Sequence, residues 1–219
     1  MNGLKGSLEW GMRISLFMLA LMFMSLGLDI LIKASLGVAP WDVLHTGLEL
    51  HLPFTLGQVM IGAGFFLLML SWILGVRPTV ASFMNMFFIG FFYDLLVGTQ
   101  IVPHSQGIWM QVVYLILGIN IVAFSTALYI STNMGTGPRD SLMIAINKLT
   151  SLRVGMVRTV IEVAAVITGF LLGGIVGLGT LAFSLTIGFT MEMYMNLIER
   201  VKEMAKAPQP EVEQMPIRR

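Results

Sequence analysis

The stretch GVAPWDVL, from Gly37 to Leu44, returns as GTGPRDSL from Gly135 to Leu142. The two stretches lie 98 residues apart, and each places a proline and an aspartate at the same distance from its first glycine. The register continues without a gap, because Ile89-Gly90-Phe91 aligns with Ile187-Gly188-Phe189. A period of this length exceeds the roughly 20–50 residues of solenoid repeats and suits a duplicated unit of a few membrane helices. The sequence therefore predicts two copies of one membrane-embedded unit.

The composition is that of a multi-pass membrane protein, with 56% hydrophobic and 11% charged residues among 219. A net charge of +1 gives no electrostatic case for nucleic-acid binding. The chain has no cysteine, which excludes disulfides and thiolate metal sites. No metal-ligand spacing links the histidines, so we expect neither a metal nor a cofactor. His45 and His51, at the first motif, and His104 are expected to be solvated polar residues.

Six stretches have the roughly 20 residues that cross a hydrocarbon core of about 30 Å. Two shorter segments, 40–50 and 138–149, would reach only about 18 Å at about 1.5 Å per residue, and they are predicted to be half-helices or re-entrant elements. Pro40 and Pro138 favour helix starts there, because the first turn needs no proline N–H. The predicted fold is an all-α polytopic membrane protein with spans at about 11–36, 57–75, 79–97, 108–132, 154–172 and 178–197.

The distribution of Lys and Arg predicts the orientation of these spans. With a cytoplasmic N-terminus, the cations other than Lys33 fall on the cytoplasmic side, and the uncharged links 98–107 and 173–179 lie outside. Three spans per repeat is an odd number, so the two halves should be inverted repeats, residues 1–103 and 104–199. A disordered cytoplasmic tail is predicted at 200–219. The protein would then lie in the inner membrane of a bacterium, with both termini in the cytoplasm.

Charged side chains inside the membrane are the candidates for function, because an isolated charge there costs at least about 2.5–3.5 kcal/mol. Arg158 and Glu162 are four residues apart and share a helix face. Arg139 stands where the first repeat has Trp41, and its guanidinium could hold an anionic group or pair with Asp140. The candidate substrate-binding or ion-binding residues are Asp42, Arg139, Asp140, Arg158 and Glu162, and the motif backbone is formed by Gly37, Pro40, Gly135, Gly137 and Pro138.

Structural roles are favoured for the other embedded charges. Asp29 and Lys33 are four residues apart near the end of a span, where they can neutralise each other. Asp94 and Glu192, at equivalent repeat positions, lie near span ends within reach of water. The two Gly-Pro-Asp motifs themselves allow two interpretations, a substrate path or an inherited packing joint, and function is favoured because the motif is polar and embedded.

Several of these segments together resemble a known family. They are KASLGVAPWDVL, the GVRP link at Gly75–Pro78, MGTGPRDSLM, the Arg158 and Glu162 pair, and GGIVGLGT at Gly173–Thr180. From about Gly27 to Met191 the chain resembles the YczE/YyaS/YitT group of bacterial membrane proteins. Its short polar tail, in place of the soluble C-terminal domain of many YitT-like members, is closer to the YczE branch. The resemblance implies a multi-spanning, transporter-like protein of the inner membrane and names no substrate.

Three functional classes remain open. The first is a secondary transporter or permease for an unidentified small solute, with a proton as coupling ion; embedded ionisable residues favour it over the second, a passive channel. The third is a membrane partner, or homo-oligomer, that supports another enzyme or exporter. An enzyme is not expected, because the spans lack a Ser-His pairing and the chain lacks HExxH. The expected partners are therefore the lipid bilayer and a small molecule.

Overall fold

The computed structural model is helical over the residues that it describes, 2–150 and 152–206, with side chains from 10 to 150 and from 152 to 204. Within these ranges it has eight helices: α1 (Asn2–Ala34), α2 (Pro40–Glu49), α3 (Leu56–Ile73), α4 (Val80–Thr99), α5 (Gly107–Ser131), α6 (Pro138–Thr150), α7 (Val154–Leu171) and α8 (Leu178–Lys206). All except α2 and α6 are long and apolar enough to cross a membrane. The predicted six spans and two short helices are confirmed.

The short helices α2 and α6 have 10 and 13 residues. At about 1.5 Å per residue they extend about 15 Å and 20 Å, which is less than the thickness of a bilayer core. Each begins with its motif proline, Pro40 or Pro138, as the sequence predicts. The preceding loop is left-handed at Gly37 (φ 111°) and Gly135 (φ 153°), a conformation that glycine adopts without a steric penalty.

The helix ends agree with the predicted spans to within a few residues, except that α1 begins at Asn2 and α8 ends at Lys206. Helix α8 continues to Lys206, so residues 200–206 of the predicted tail are helical. The added turns, RVKEMAK, consist largely of good helix formers, which extend a helix without needing lipid contact. The rest of the predicted tail, residues 207–219, lies outside the described residues.

The repeat is visible in the backbone as well as in the sequence. Residues 98 positions apart share left-handed conformations, such as Ser35 (φ 58°) with Asn133 (φ 53°), and Gly75 (φ 92°) with Gly173 (φ 85°). The turns that follow α3 and α7 also share hydrogen bonds: Val76 N donates to Ser71 O, and Gly174 N donates to Gly169 O. The two halves are therefore one structural unit built twice.

The two repeats make equivalent helix contacts, both within each repeat and between them. Helix α1 packs on α4 as α5 packs on α8, and α2 packs on α7 as α6 packs on α3, with α1 and α5 in contact at the centre. The loop at Gly37 abuts Gly177, before α8, and the loop at Gly135 abuts Thr79, before α4. Equivalent segments of the two halves therefore make equivalent contacts. Each short helix is thereby held against the other repeat.

Candidate functional site

A cavity of about 170 Å³ lies where the first turns of α2 and α6 meet, and all eight helices contribute to its wall. One water molecule needs about 10–15 Å³ of such space, so the cavity has room for a small solute together with water. Pro40 and Pro138, the first residues of the two short helices, both line it. The duplicated motif therefore forms the wall of one shared chamber.

Trp41 and Arg139, which occupy the same motif position in the two repeats, contact each other in this cavity. The guanidinium carbon of Arg139 lies 5.3 Å from the centre of the Trp41 ring, within the range of a cation–π interaction. The sequence difference at this position therefore places one guanidinium against one aromatic ring in the cavity.

Asp42 lies beneath Arg139 and is 1% exposed. Its Oδ1 lies 3.0 Å from Nδ1 of His45 and 3.8 Å from a terminal guanidinium nitrogen of Arg139. Its Oδ2 is buried and has no hydrogen-bond partner among the described residues. The carboxylate partner of Arg139 is thus Asp42, from the other repeat, and the predicted pairing of Arg139 with Asp140 is wrong.

Asp140 has a different partner, although it occupies the same motif position as Asp42. The hydroxyl of Tyr129 donates to Asp140 Oδ2 at 3.0 Å. Asp140 is half-buried and lines the cavity, whereas Asp42 does not reach it. The two motif aspartates, grouped together by the sequence, therefore have separate environments.

Arg158 and Glu162 form the predicted pair on α7, with Arg158 Nε donating to Glu162 Oε1 at 2.9 Å. Both residues line the cavity, and their equivalents in the first repeat are Met60 and Gly64, which also line it. All four charged residues that line the cavity, Arg139, Asp140, Arg158 and Glu162, come from the second repeat. The second repeat therefore contributes charged residues to the cavity at positions where the first contributes uncharged ones, such as Met60 and Gly64.

The remaining embedded charges lie away from the cavity. Asp29 and Lys33 form a buried ion pair of 3.0 Å on α1, as predicted, and neither lines the cavity. Asp94 accepts hydrogen bonds from Gly57 N at 3.0 Å and from the hydroxyl of Thr55, so it joins the end of α4 to the start of α3. Its equivalent, Glu192, is exposed.

Four residues of the cavity were not predicted as site residues: Trp41 as a binding partner of Arg139, His45, Asn85 and Tyr129. The prediction of a solvated His45 is wrong, because one helical turn after Asp42 its ring faces the same interior side and is 4% exposed. Asn85 and Tyr129 are polar groups inside predicted spans, and they could have been predicted from that signal. Trp41 carried no such signal, since aromatic residues are common in membrane helices.

The model of the "Family of unknown function (DUF6198)" matches residues 11–196 of this chain. The chain belongs to this DUF6198 family. An uncharacterized protein of Haemophilus influenzae is 32% identical over 191 residues, which cover 86% of this chain and 85% of that protein. The uncharacterized membrane protein YczE of Bacillus subtilis is 30% identical over 190 residues, 84% and 85% of the two chains.

A third relative, the uncharacterized protein YyaS of Bacillus subtilis, is 24% identical over 184 residues, 83% of this chain and 92% of its own. The resemblance to YczE and YyaS is confirmed by these matches. No solved structure matches the chain. The membrane-protein relative and the six apolar helices together identify this DUF6198 member as a multi-pass membrane protein.

Proposed function

We propose that this protein is a secondary transporter for a small solute that carries an ionised group, with a proton as the coupling ion. The observation that carries the proposal is the cavity between the two short helices, which is lined by both charged and apolar residues. Non-helical backbone at membrane depth is tolerated where protein buries it or where it lines a water-filled path, and paired broken elements of this kind form the substrate sites of many transporters.

Arg139 is the residue that we assign to an anionic group of the solute. Its side chain is 42% exposed and lies 3.8 Å from Asp42, which is longer than the about 2.7–2.9 Å of a charge-assisted hydrogen bond. Guanidinium donors therefore remain available to a ligand, and Trp41 fixes the plane from which they point. The apolar residues that line the cavity, such as Met60 and Phe183, would contact the rest of the solute.

Asp42 and His45 are the residues that we assign to the proton. A buried carboxylate 3.0 Å from an imidazole can share one proton with it, and Arg139 adjoins the same carboxylate oxygen. A proton arriving at this pair would weaken the hold of Asp42 on Arg139 and so change the charge that the solute meets. Proton binding and solute binding would then be coupled through one guanidinium.

A thermal-shift screen of the purified protein against pooled metabolites, separated into anionic, cationic and neutral fractions, tests the binding step. A ligand present at about 100 times its dissociation constant adds about 2.7 kcal/mol to the apparent stability. We expect a stabilising compound in the anionic or zwitterionic fraction, and we expect Arg139→Gln to abolish its effect. Arg77→Gln, in an exposed loop, is the matched control and should bind as the unaltered protein does.

Uptake of the stabilising compound into liposomes tests transport itself. Accumulation that rises with an imposed proton gradient supports the proposal. Flux that only follows the compound's own gradient would assign a passive channel instead. Binding without flux, together with a stoichiometric copurifying protein, would assign a membrane partner and overturn the transporter.

A further inference from the structure

The two repeats differ at one helix contact. Helix α3 packs along α4, whereas a cleft of about 400 Å³ lies between their equivalents α7 and α8. The buried share of the span is 44% in α3 and only 17% in α7. Pro40 and Glu162 line both this cleft and the central cavity, so the two spaces adjoin. The second repeat is open where the first is closed.

On the closed side, the helices touch through their backbones. Gly57 and Gly90 are buried, and a Cβ atom on Gly90 would lie 2.3 Å from the carbonyl oxygen of Gly57. Asp94 adds hydrogen bonds to Gly57 N and to the hydroxyl of Thr55. Glycine at both contact positions is what permits this approach.

On the open side, the equivalent residues are in place and make no such contact. Gly155 and Gly188 are exposed, and a Cβ atom on either would meet nothing within 4 Å. The equivalents of Thr55 and Asp94 are Arg153 and Glu192. Both are exposed, and neither forms an ion pair within the part of the chain that the structure describes. A hydrogen-bonding pair in one repeat corresponds to opposite charges in the other.

The facing surfaces of α7 and α8 also remain complementary in size. In the first repeat Gly64 lies against Met86, and a Cβ atom on Gly64 would lie 2.6 Å from Met86 Cγ. The equivalent residues are Glu162 and Ser184, which both line the cleft. The larger residue of the pair is Met86 on α4 in the first repeat and Glu162 on α7 in the second. In each repeat the residue at the facing position is small. These features are the ones that closure of α7 on α8 requires.

We infer that the protein has a second state in which α7 and α8 close, with Gly155 against Gly188 and Arg153 paired with Glu192, while α3 and α4 separate. Opening one contact while closing its equivalent exchanges similar interactions, so the two states can lie within a few kcal/mol of each other. Such exchange between repeats is how rocking transporters move a solute past a fixed site.

This inference rests on the proposed function and assigns a side of the membrane to each contact. In the inverted topology, Thr55 and Asp94 lie at the outer end of their helices, and Arg153 and Glu192 lie at the cytoplasmic end. The cytoplasmic contact, at Gly155 and Gly188, is then the one that is open in this structure. Arg153 and Glu192 form the cytoplasmic gate, and Thr55 and Asp94 form the outer one.

Paired cysteines test the exchange without any substrate, because the chain has no cysteine of its own. A short bifunctional thiol reagent, added to protein in liposomes, should cross-link Thr55→Cys with Asp94→Cys, and in a second variant Arg153→Cys with Glu192→Cys. In the four-cysteine protein we expect one cross-link or the other in each molecule. Absence of the Arg153–Glu192 cross-link where the other forms, or both cross-links in one molecule, would overturn the inference.

Spin labels on exposed neighbours provide a second measurement that leaves the gate residues intact. We expect two distance populations between labels at Leu152→Cys and Met193→Cys, and likewise at their equivalents, Phe54→Cys and Leu95→Cys. All four side chains are exposed. The fraction with the short Leu152–Met193 distance should equal the fraction with the long Phe54–Leu95 distance, and a single population in both pairs would contradict the exchange. Exchange without any flux would contradict the proposed transport and support the second state. Proton-driven uptake without exchange would contradict the second state and support transport.

Discussion

Among single residues, the aspartates at the equivalent motif positions have different partners. Asp42 and Asp140 stand 98 residues apart with the same local sequence spacing, yet Asp42 lies beside Arg139 and His45, whereas Asp140 accepts a hydrogen bond from the Tyr129 hydroxyl. Three positions account for the difference, because Arg139, His45 and Tyr129 correspond to Trp41, Met143 and Leu31 in the other repeat. Arg139 consequently has its nearest carboxylate, Asp42, in the opposite repeat.

Neutral substitutions of the two aspartates should therefore have unequal effects. Asparagine is almost the same size as aspartate and begins helices nearly as well, so Asp→Asn removes little besides the charge. Asp42→Asn leaves Arg139 without its carboxylate and weakens the acceptor of a buried histidine, and we expect a loss of about 1–3 kcal/mol. Asp140→Asn keeps an acceptor for Tyr129 at a half-buried position and should cost less.

Thermal unfolding of the purified variants in one detergent measures this difference, and Asp140→Asn is the matched control for Asp42→Asn. The sequence alone favours the opposite order, because Arg139 is adjacent only to Asp140 in the chain. A larger loss for Asp140→Asn would therefore restore the sequence-based pairing and contradict the observed one.

At the scale of helices, the same glycine pair is packed in one repeat and free in the other. Gly90→Ala would force a methyl group against the carbonyl of Gly57, and overpacking of this kind costs about 1–3 kcal/mol. Gly188→Ala meets nothing and should be neutral, or stabilising by up to about 1 kcal/mol, because alanine is the better helix former. Denaturation of both variants measures the contrast. Equal losses would show that α7 and α8 are packed together most of the time.

Local features of the helices were predictable, and their partners were not. Proline placement and segment length predict where α2 and α6 begin and that they are short, because these properties depend on the nearest few residues. The packing of α2 on α7, and hence the contact of Arg139 with Asp42, depends on which faces meet in three dimensions. The burial of His45 was missed for the same reason, since one histidine carries no periodic pattern.

At the scale of the whole molecule, the reciprocal contacts explain why the site lies where it does. Each motif loop is held by the other repeat, so neither half of the cavity exists without both halves. An odd number of spans in each repeat then requires that the related segments begin on opposite sides of the membrane. The two-fold arrangement and the span count together favour an inverted topology, with the two short helices entering from opposite faces.

Labelling of single cysteines by a membrane-impermeant maleimide tests that topology directly. We expect His104→Cys and Val176→Cys, in uncharged exposed links, to react in intact cells, and Lys148→Cys, near the end of α6, to react only after the membrane is opened. The reason is electrostatic, because links rich in Lys and Arg are retained on the cytoplasmic side. All three side chains are exposed, so a difference in labelling reports the side of the membrane rather than burial. External labelling of Lys148→Cys would place both motifs on one side and remove the basis for two gates on opposite faces.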